Sequence, residues 1–173
     1  KMIYDAQCML EKLEDTQEFC RNLEGKLNIF TVKGLPLYKI NGEISDFIAI
    51  EEYGNLKDIM HSNNNDMLSQ IMRYIAFDKD CVTDTKMFIV DVAEIKDESE
   101  IYLQYPKCLY TVVEEIQSIN EQEDLMKSMH RLSAEYAEIH DLTLLGEAFA
   151  MIRLITCKES ETKAYIEIFI PFE

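Results

Sequence analysis

The chain of 173 residues carries 33 acidic and 17 basic side chains, a net charge of −16, with 47% apolar residues. A surface so negative repels phosphate backbones, which excludes nucleic-acid binding by these residues themselves. No apolar run nears the roughly 20 residues needed to span a bilayer, and five scattered cysteines with three unclustered histidines argue against zinc, a disulfide framework or a cofactor, fitting free thiols in a reducing cytoplasm.

Residues 1–30 hold the first pattern. Met2, Ala6, Met9, Leu13, Thr16, Cys20, Leu23, Leu27 and Phe30 fall at alternating three- and four-residue steps, with charged and amide side chains between them. This predicts a helix with one narrow apolar edge that a partner helix must cover. At about 1.5 Å per residue it would reach roughly 45 Å, too far for a small body to bury. The expectation is a dimerisation arm, set against the plainer reading of an amphipathic helix on its own domain.

Gly34 and Pro36 are expected to break the helix. Asn41-Gly42 then reads as a hairpin turn between runs at 37–40 and 47–52. Met67, Leu68, Ile71, Met72, Ile75 and Ala76 recur at helical spacing, predicting a helix that ends near Asp78. Residues 87–92 read as a strand, as do 101–105 and 108–116, separated by Pro106. Over 121–140, Leu125, Met129, Leu132, Tyr136 and Ile139 share a helical face. Strands at 147–156 and 164–172 close the chain. The order is α+β, with both globular helices expected on one face of an antiparallel sheet.

Catalytic signatures fail. Five glycines cannot form a phosphate loop, and no G-x-S-x-G or H-E-x-x-H motif occurs. Adjacent acids such as Glu51-Glu52 and Glu114-Glu115 point to opposite sides of a strand, so they are poor cooperating acid and base.

The last thirty residues are more informative. Residues 142–151 (LTLLGEAFAM), a variable turn, and then residues 165–171 (YIEIFIP) resemble the closing hairpin of GyrI-like effector-binding domains. With a long helix in front, the organisation resembles the C-terminal part of MerR-family multidrug-responsive transcription regulators. The likeness is good from Tyr136 to Phe172 and rests on element order alone between Leu35 and Tyr105. It divides the chain into a linker helix, 1–30, and an effector-binding domain, 31–173.

What the resemblance implies is a non-enzymatic sensor. Its helices pair antiparallel in a homodimer, a small-molecule effector enters a central cavity, and DNA is read only by a domain preceding this one. Flat hydrophobic cations suit such cavities through aromatic faces and a desolvated carboxylate. The family's carboxylate position on the penultimate strand matches Ala150, which cannot supply it, while Tyr165 matches a cavity tyrosine. Strand alternation places Ala148, Ala150, Ile152 and Leu154 on one face, the expected cavity wall, and Glu147, Phe149, Met151 and Arg153 on the other. Tyr165, Glu167 and Phe169 share a face of the last strand, so Glu167 is a candidate displaced carboxylate, its plain alternative being a solvated strand residue. Tyr53, Phe47, Tyr110, Tyr102 and Tyr105 complete the ligand-binding candidates. Two other readings compete: a stand-alone GyrI-like hydrolase, which Ala150 and the arm disfavour, and an acidic protein-binding module that mimics DNA.

Overall fold

The computed structural model describes residues 2–44, 70–93, 99–117, 125–158 and 161–173. In chain order they form α1 (Met2–Arg21), β1 (Thr31–Ile44), β2 (Gln70–Phe77), β3 (Val82–Val92), β4 (Ile101–Gln117), α2 (Leu125–Ile139), β5 (Glu147–Lys158) and β6 (Glu161–Pro171). The strands are antiparallel and ordered β1-β3-β2-β5-β6-β4; β4 pairs back onto β1, so the sheet closes into a barrel. Among the described strands, closure pairs each one on both sides and so leaves no open edge.

Among the described residues, alternation along the strands separates two cores. The inner one takes side chains from every strand, including Leu35, Tyr38, Met72, Val90, Cys108, Tyr110, Phe149, Met151 and Phe169. The outer one lies on β2, β4, β5 and β6, where Ile75, Leu109, Ala148, Ala150, Ile166, Ile168 and Ile170 pack beneath Met129 of α2.

These two cores explain the largest departure from the sequence reading. The expected helix ending near Asp78 is β2, and Met67 and Leu68, where that helix was to begin, lie outside the described residues. Met72 enters the inner core and Ile75 the outer one. A strand buried on both faces can place its best-buried side chains three apart, which imitates a helical stripe. Asp78 then closes the turn to β3: its carboxylate accepts N–H bonds from Asp80 and Cys81 at 2.8 and 2.9 Å. Those donors hold its carboxyl below the usual range.

The arm is shorter than the heptad pattern implied. α1 ends at Arg21, and the chain turns at Asn28, whose φ is 56°. Phe19, off the predicted seam, is 4% exposed in the inner core, with Leu23 and Leu27 packed beside it. Asn28 N–H donates to the Val112 carbonyl at 2.8 Å, so the end of the predicted arm is stitched to the barrel. On the seam, Met9, Leu13 and Cys20 are exposed within the single chain. The hydroxyl of Thr16 donates to the Lys12 carbonyl at 2.8 Å, which lets a polar residue sit on this edge without an unmet donor.

Asn41-Gly42 is no turn. β1 runs through it, with a bulge between Ile40 and Gly42 in its pairing with β3. Pro106 likewise lies inside one continuous β4, where the β1 register shifts. Gly34 stands opposite; a Cβ there would come within 2.9 Å of the Pro106 carbonyl oxygen. Glycine is therefore needed for strands β1 and β4 to approach around the proline.

α2 begins at Leu125 in the described structure; the earlier expected residues lie outside it. Its buried face is Met129, Ser133 and Ala137, whereas Leu132 and Ile139, assigned to the core by spacing, are exposed. Asp141, with φ of 54°, ends the helix, and Leu142 N–H bonds back to the Ala137 carbonyl at 2.9 Å. Of the two globular helices expected on one face of the sheet, the first is strand β2 and the second is α2, which lies on the outer face, while Phe19 of α1 enters the inner core.

Candidate functional site

Glu167 occupies the inner face of β6 and is 8% exposed. An ionised carboxylate held there needs partners, since desolvation without them costs several kcal/mol. Tyr110 of β4 supplies the direct one, its hydroxyl donating to Glu167 Oε1 at 2.8 Å. Burial, then the charge and hydrogen bond of Glu167, push the Tyr110 phenol well above its ordinary range. Tyr38 of β1 is also buried, and burial with the Glu167 charge raises it to about 12.

Two cations face the carboxylate without closing on it. Lys33 Nζ lies 3.8 Å from Oε1, and Arg153 Nε lies 3.8 Å from Oε2, both beyond hydrogen-bond length. Arg153 Nε is buried and makes no hydrogen bond. The Lys33 ammonium also sits 4.5 Å from the Tyr110 ring centroid and 5.7 Å from that of Phe169. The two rings are 5.0 Å apart and tilted by 53°. Carboxylate and ring faces thus define a seat for positive charge.

Arg153 links that seat to α1. Its terminal nitrogen donates to Asp15, and its guanidinium stacks 5.7 Å from the Phe19 ring centroid. The arginine sits at a bulge in β5, between Ile152 and Leu154. Extending the pairing of Lys158 with Glu161 without that bulge would set Ile152 opposite Glu167 and Ala150 opposite Phe169. The extra residue instead pairs Met151 with Glu167 and Phe149 with Phe169. One added residue exchanges the faces of a strand.

The predicted site residues divide accordingly. Tyr110, Glu167 and Phe169 come together in the inner core. Tyr165 packs at its margin, and the neighbouring Glu114, with burial, raises its phenol above the ordinary range. Ala148 and Ala150 lie on the opposite side of the sheet under α2, and Ile152 is 40% exposed. Their small side chains form a floor for the helix instead of a wall shared with Glu167. Tyr53 and Phe47 lie outside the described residues. Tyr105, also inside the barrel, donates to Glu147 at 2.5 Å and is tilted against Phe149, with centroids 5.4 Å apart.

Lys33, Tyr38, Arg153 and Phe19 were not singled out from the sequence. Lys33 two residues before inward Leu35, and Arg153 two after inward Met151, were the available signals. Neither can be read without knowing where the bulges fall.

A cavity of about 20 Å³ separates α2 from the outer face, lined by Ile75, Met129, His130, Ser133, Ala148 and Ile168 among others. It has room for one water and not for an organic effector. Among the described residues no group of histidine, cysteine and carboxylate side chains could hold a metal ion, and no helix is long and apolar enough to cross a membrane.

No protein-family model matches the chain, and no curated protein matches it. Solved structures are similar at low sequence identity. SAV2435 bound to tetraphenylphosphonium is 12% identical with a TM-score of 0.41, the match covering 84% of this chain and 94% of that one. A hydrolase from Listeria innocua is 8% identical with a TM-score of 0.40, over 90% of this chain and 98% of its own. The C-terminal domain of EcmrR is 15% identical with a TM-score of 0.47, over 84% of this chain and 97% of its own. A complex of EcmrR with DNA matches with the same identity and score over all of this chain and 68% of EcmrR.

Proposed function

We propose that this chain senses hydrophobic cationic small molecules, as the effector-binding and dimerisation part of a MerR-type transcription regulator of the cytoplasm. The observation that carries the reading is Glu167: a buried carboxylate among Tyr110, Phe169 and Tyr38, with its two cationic neighbours standing off at 3.8 Å. A lipophilic cation gains from the ring faces and from the carboxylate together, and brings its own apolar bulk to the inner core.

Transmission follows from Arg153. A cation against Glu167 competes with the guanidinium for that charge, and the guanidinium also holds Asp15 and covers Phe19. Binding therefore biases how α1 is seated, and a ligand shifts an equilibrium only through such differential contacts. α1 exposes Ile3, Met9, Leu10 and Leu13, an apolar edge suited to the same helix of a second copy running antiparallel. DNA contact belongs to a domain outside this sequence, since the charge of −16 opposes it here. No catalytic step is assigned: Glu167 Oε1 is committed to the Tyr110 hydroxyl.

The deciding experiment titrates the chain with tetraphenylphosphonium and with neutral triphenylphosphine oxide. Glu167→Gln should weaken the cation at least tenfold, about 1.4 kcal/mol, and leave the neutral compound unchanged. Equal loss for both, or none, overturns the reading. For the helix, Leu13→Asp should convert a sedimenting dimer to monomer; a wild-type chain that sediments as monomer refutes the pairing.

A further inference from the structure

We infer that Lys33 is a tethered stand-in for the cationic ligand, holding the seat beside Glu167 and setting the affinity and charge selectivity of the site by competing for it. This rests on the reading of Glu167 as the cation-recognising group.

Three separations place the same ammonium in one position: 3.8 Å from Glu167 Oε1, 4.5 Å from the centroid of Tyr110 and 5.7 Å from that of Phe169. These are the contacts a foreign cation would want. Lys33 comes from β1, while the other three residues come from β4 and β6, so the lysine crosses the barrel seam to reach them. Its side chain is half exposed, against 10% for Glu167. The ammonium can therefore swing into water while the carboxylate cannot. A half-exposed lysine at 3.8 Å makes a weak ion pair, and the rotamer freedom it regains in solvent offsets the loss of that pair. Lysine is also compact and strongly hydrated, so a greasier cation is preferred at the same rings.

Arg153 differs in each respect. It is 15% exposed, tied to Asp15 and stacked on Phe19, so when the seat changes occupant it adjusts together with α1 instead of leaving for solvent. The geometry thus separates a removable cation from a structural one on either side of a single carboxylate.

The test compares the wild-type chain with Lys33→Met and Lys33→Gln, by calorimetric titration of tetraphenylphosphonium and triphenylphosphine oxide. Both variants should bind the cation roughly fivefold tighter, the scale of one exposed cation–π contact plus one weak ion pair, and the neutral compound with unchanged affinity. Unchanged or weaker cation binding in the variants, with a wild type that does bind, overturns the role of Lys33 and leaves the pocket standing. Failure of all three chains to bind removes the pocket and the inference with it. A measurement on the unmutated chain guards against misfolded variants. The ε-methylene protons of Lys33 should be ring-shifted upfield in the free protein and return toward solvent values as tetraphenylphosphonium is added; no such movement on saturation also overturns the proposal.

Discussion

On the outer face of β5 and β6, Ala148, Ala150, Ile166, Ile168 and Ile170 make an aliphatic floor for α2, whereas one residue along each strand Phe149, Met151 and Phe169 share the inner face with the Glu167 carboxylate. The strands are the same and the burial is similar. What differs is the cover. A helix covers the first face, with Met129 packed into the aliphatic layer and Met129, His130 and Ser133 bordering a small cavity over Ala148. The second face is closed by the opposite wall of the barrel and by one phenylalanine from α1. Stability is invested in the aliphatic layer, and chemistry in the aromatic one. The proposed site thus lies on the face covered by Phe19 with Leu23 and Leu27 beside it, and the aliphatic layer lies on the face covered by α2.

Substitutions on either side sharpen that contrast. Ala150→Glu has the largest expected effect. Even with Arg73 opposite it on β2, a longer, charged side chain buried in the aliphatic layer beneath α2 should cost about 4 kcal/mol through overpacking and desolvation, read as a collapse of the thermal midpoint; a stable variant with heightened cation preference would return this position to the pocket. Phe19→Ala should cost about 3 kcal/mol through the cavity it leaves, and it should also free α1, read as faster amide exchange in α1 than in α2. Equal exchange in both helices would mean that Phe19 does not anchor α1. The third probe is alkaline titration. Tyr38 is raised from an ordinary 10.0 to about 12, so above pH 10 the unfolded chain releases a proton that the folded chain retains. Stability is then full below about pH 10 and declines as pH rises toward 12, by roughly 2–3 kcal/mol. Tyr38→Phe should flatten that decline in a series of melting curves; an unaltered slope would assign the loss to other phenols.

Much of this arrangement was legible beforehand and some was not, for identifiable reasons. The two closing strands and the shared face of Tyr165, Glu167 and Phe169 on β6 follow from period-two patterning, whereas the pairing of Glu167 with Tyr110 of β4 needs the strand order and register. Choosing the matching face of β5 failed because a bulge at Arg153 inserts one residue, and no local signal marks it. β2 was misread because its faces feed different cores. The heptad edge of α1 was real as a pattern, yet its reach was overestimated. Leu23 and Leu27 continue the periodicity after the helix has ended, because they pack on the barrel instead of a partner helix. Asn41-Gly42 and Pro106, which ordinarily punctuate structure, are absorbed as irregularities inside long strands, where closure of the barrel demands bends.

Cys108 lies on the inner face of β4 with no solvent exposure, and burial lifts its thiol to about 11, while Cys20 and Cys81 are exposed. Of these three, an alkylating reagent meets Cys20 and Cys81 promptly and Cys108 only when β4 parts from its neighbours. That third sulfur is a built-in clock for breathing of the barrel wall, ticking slower whenever something lodged within holds the staves together.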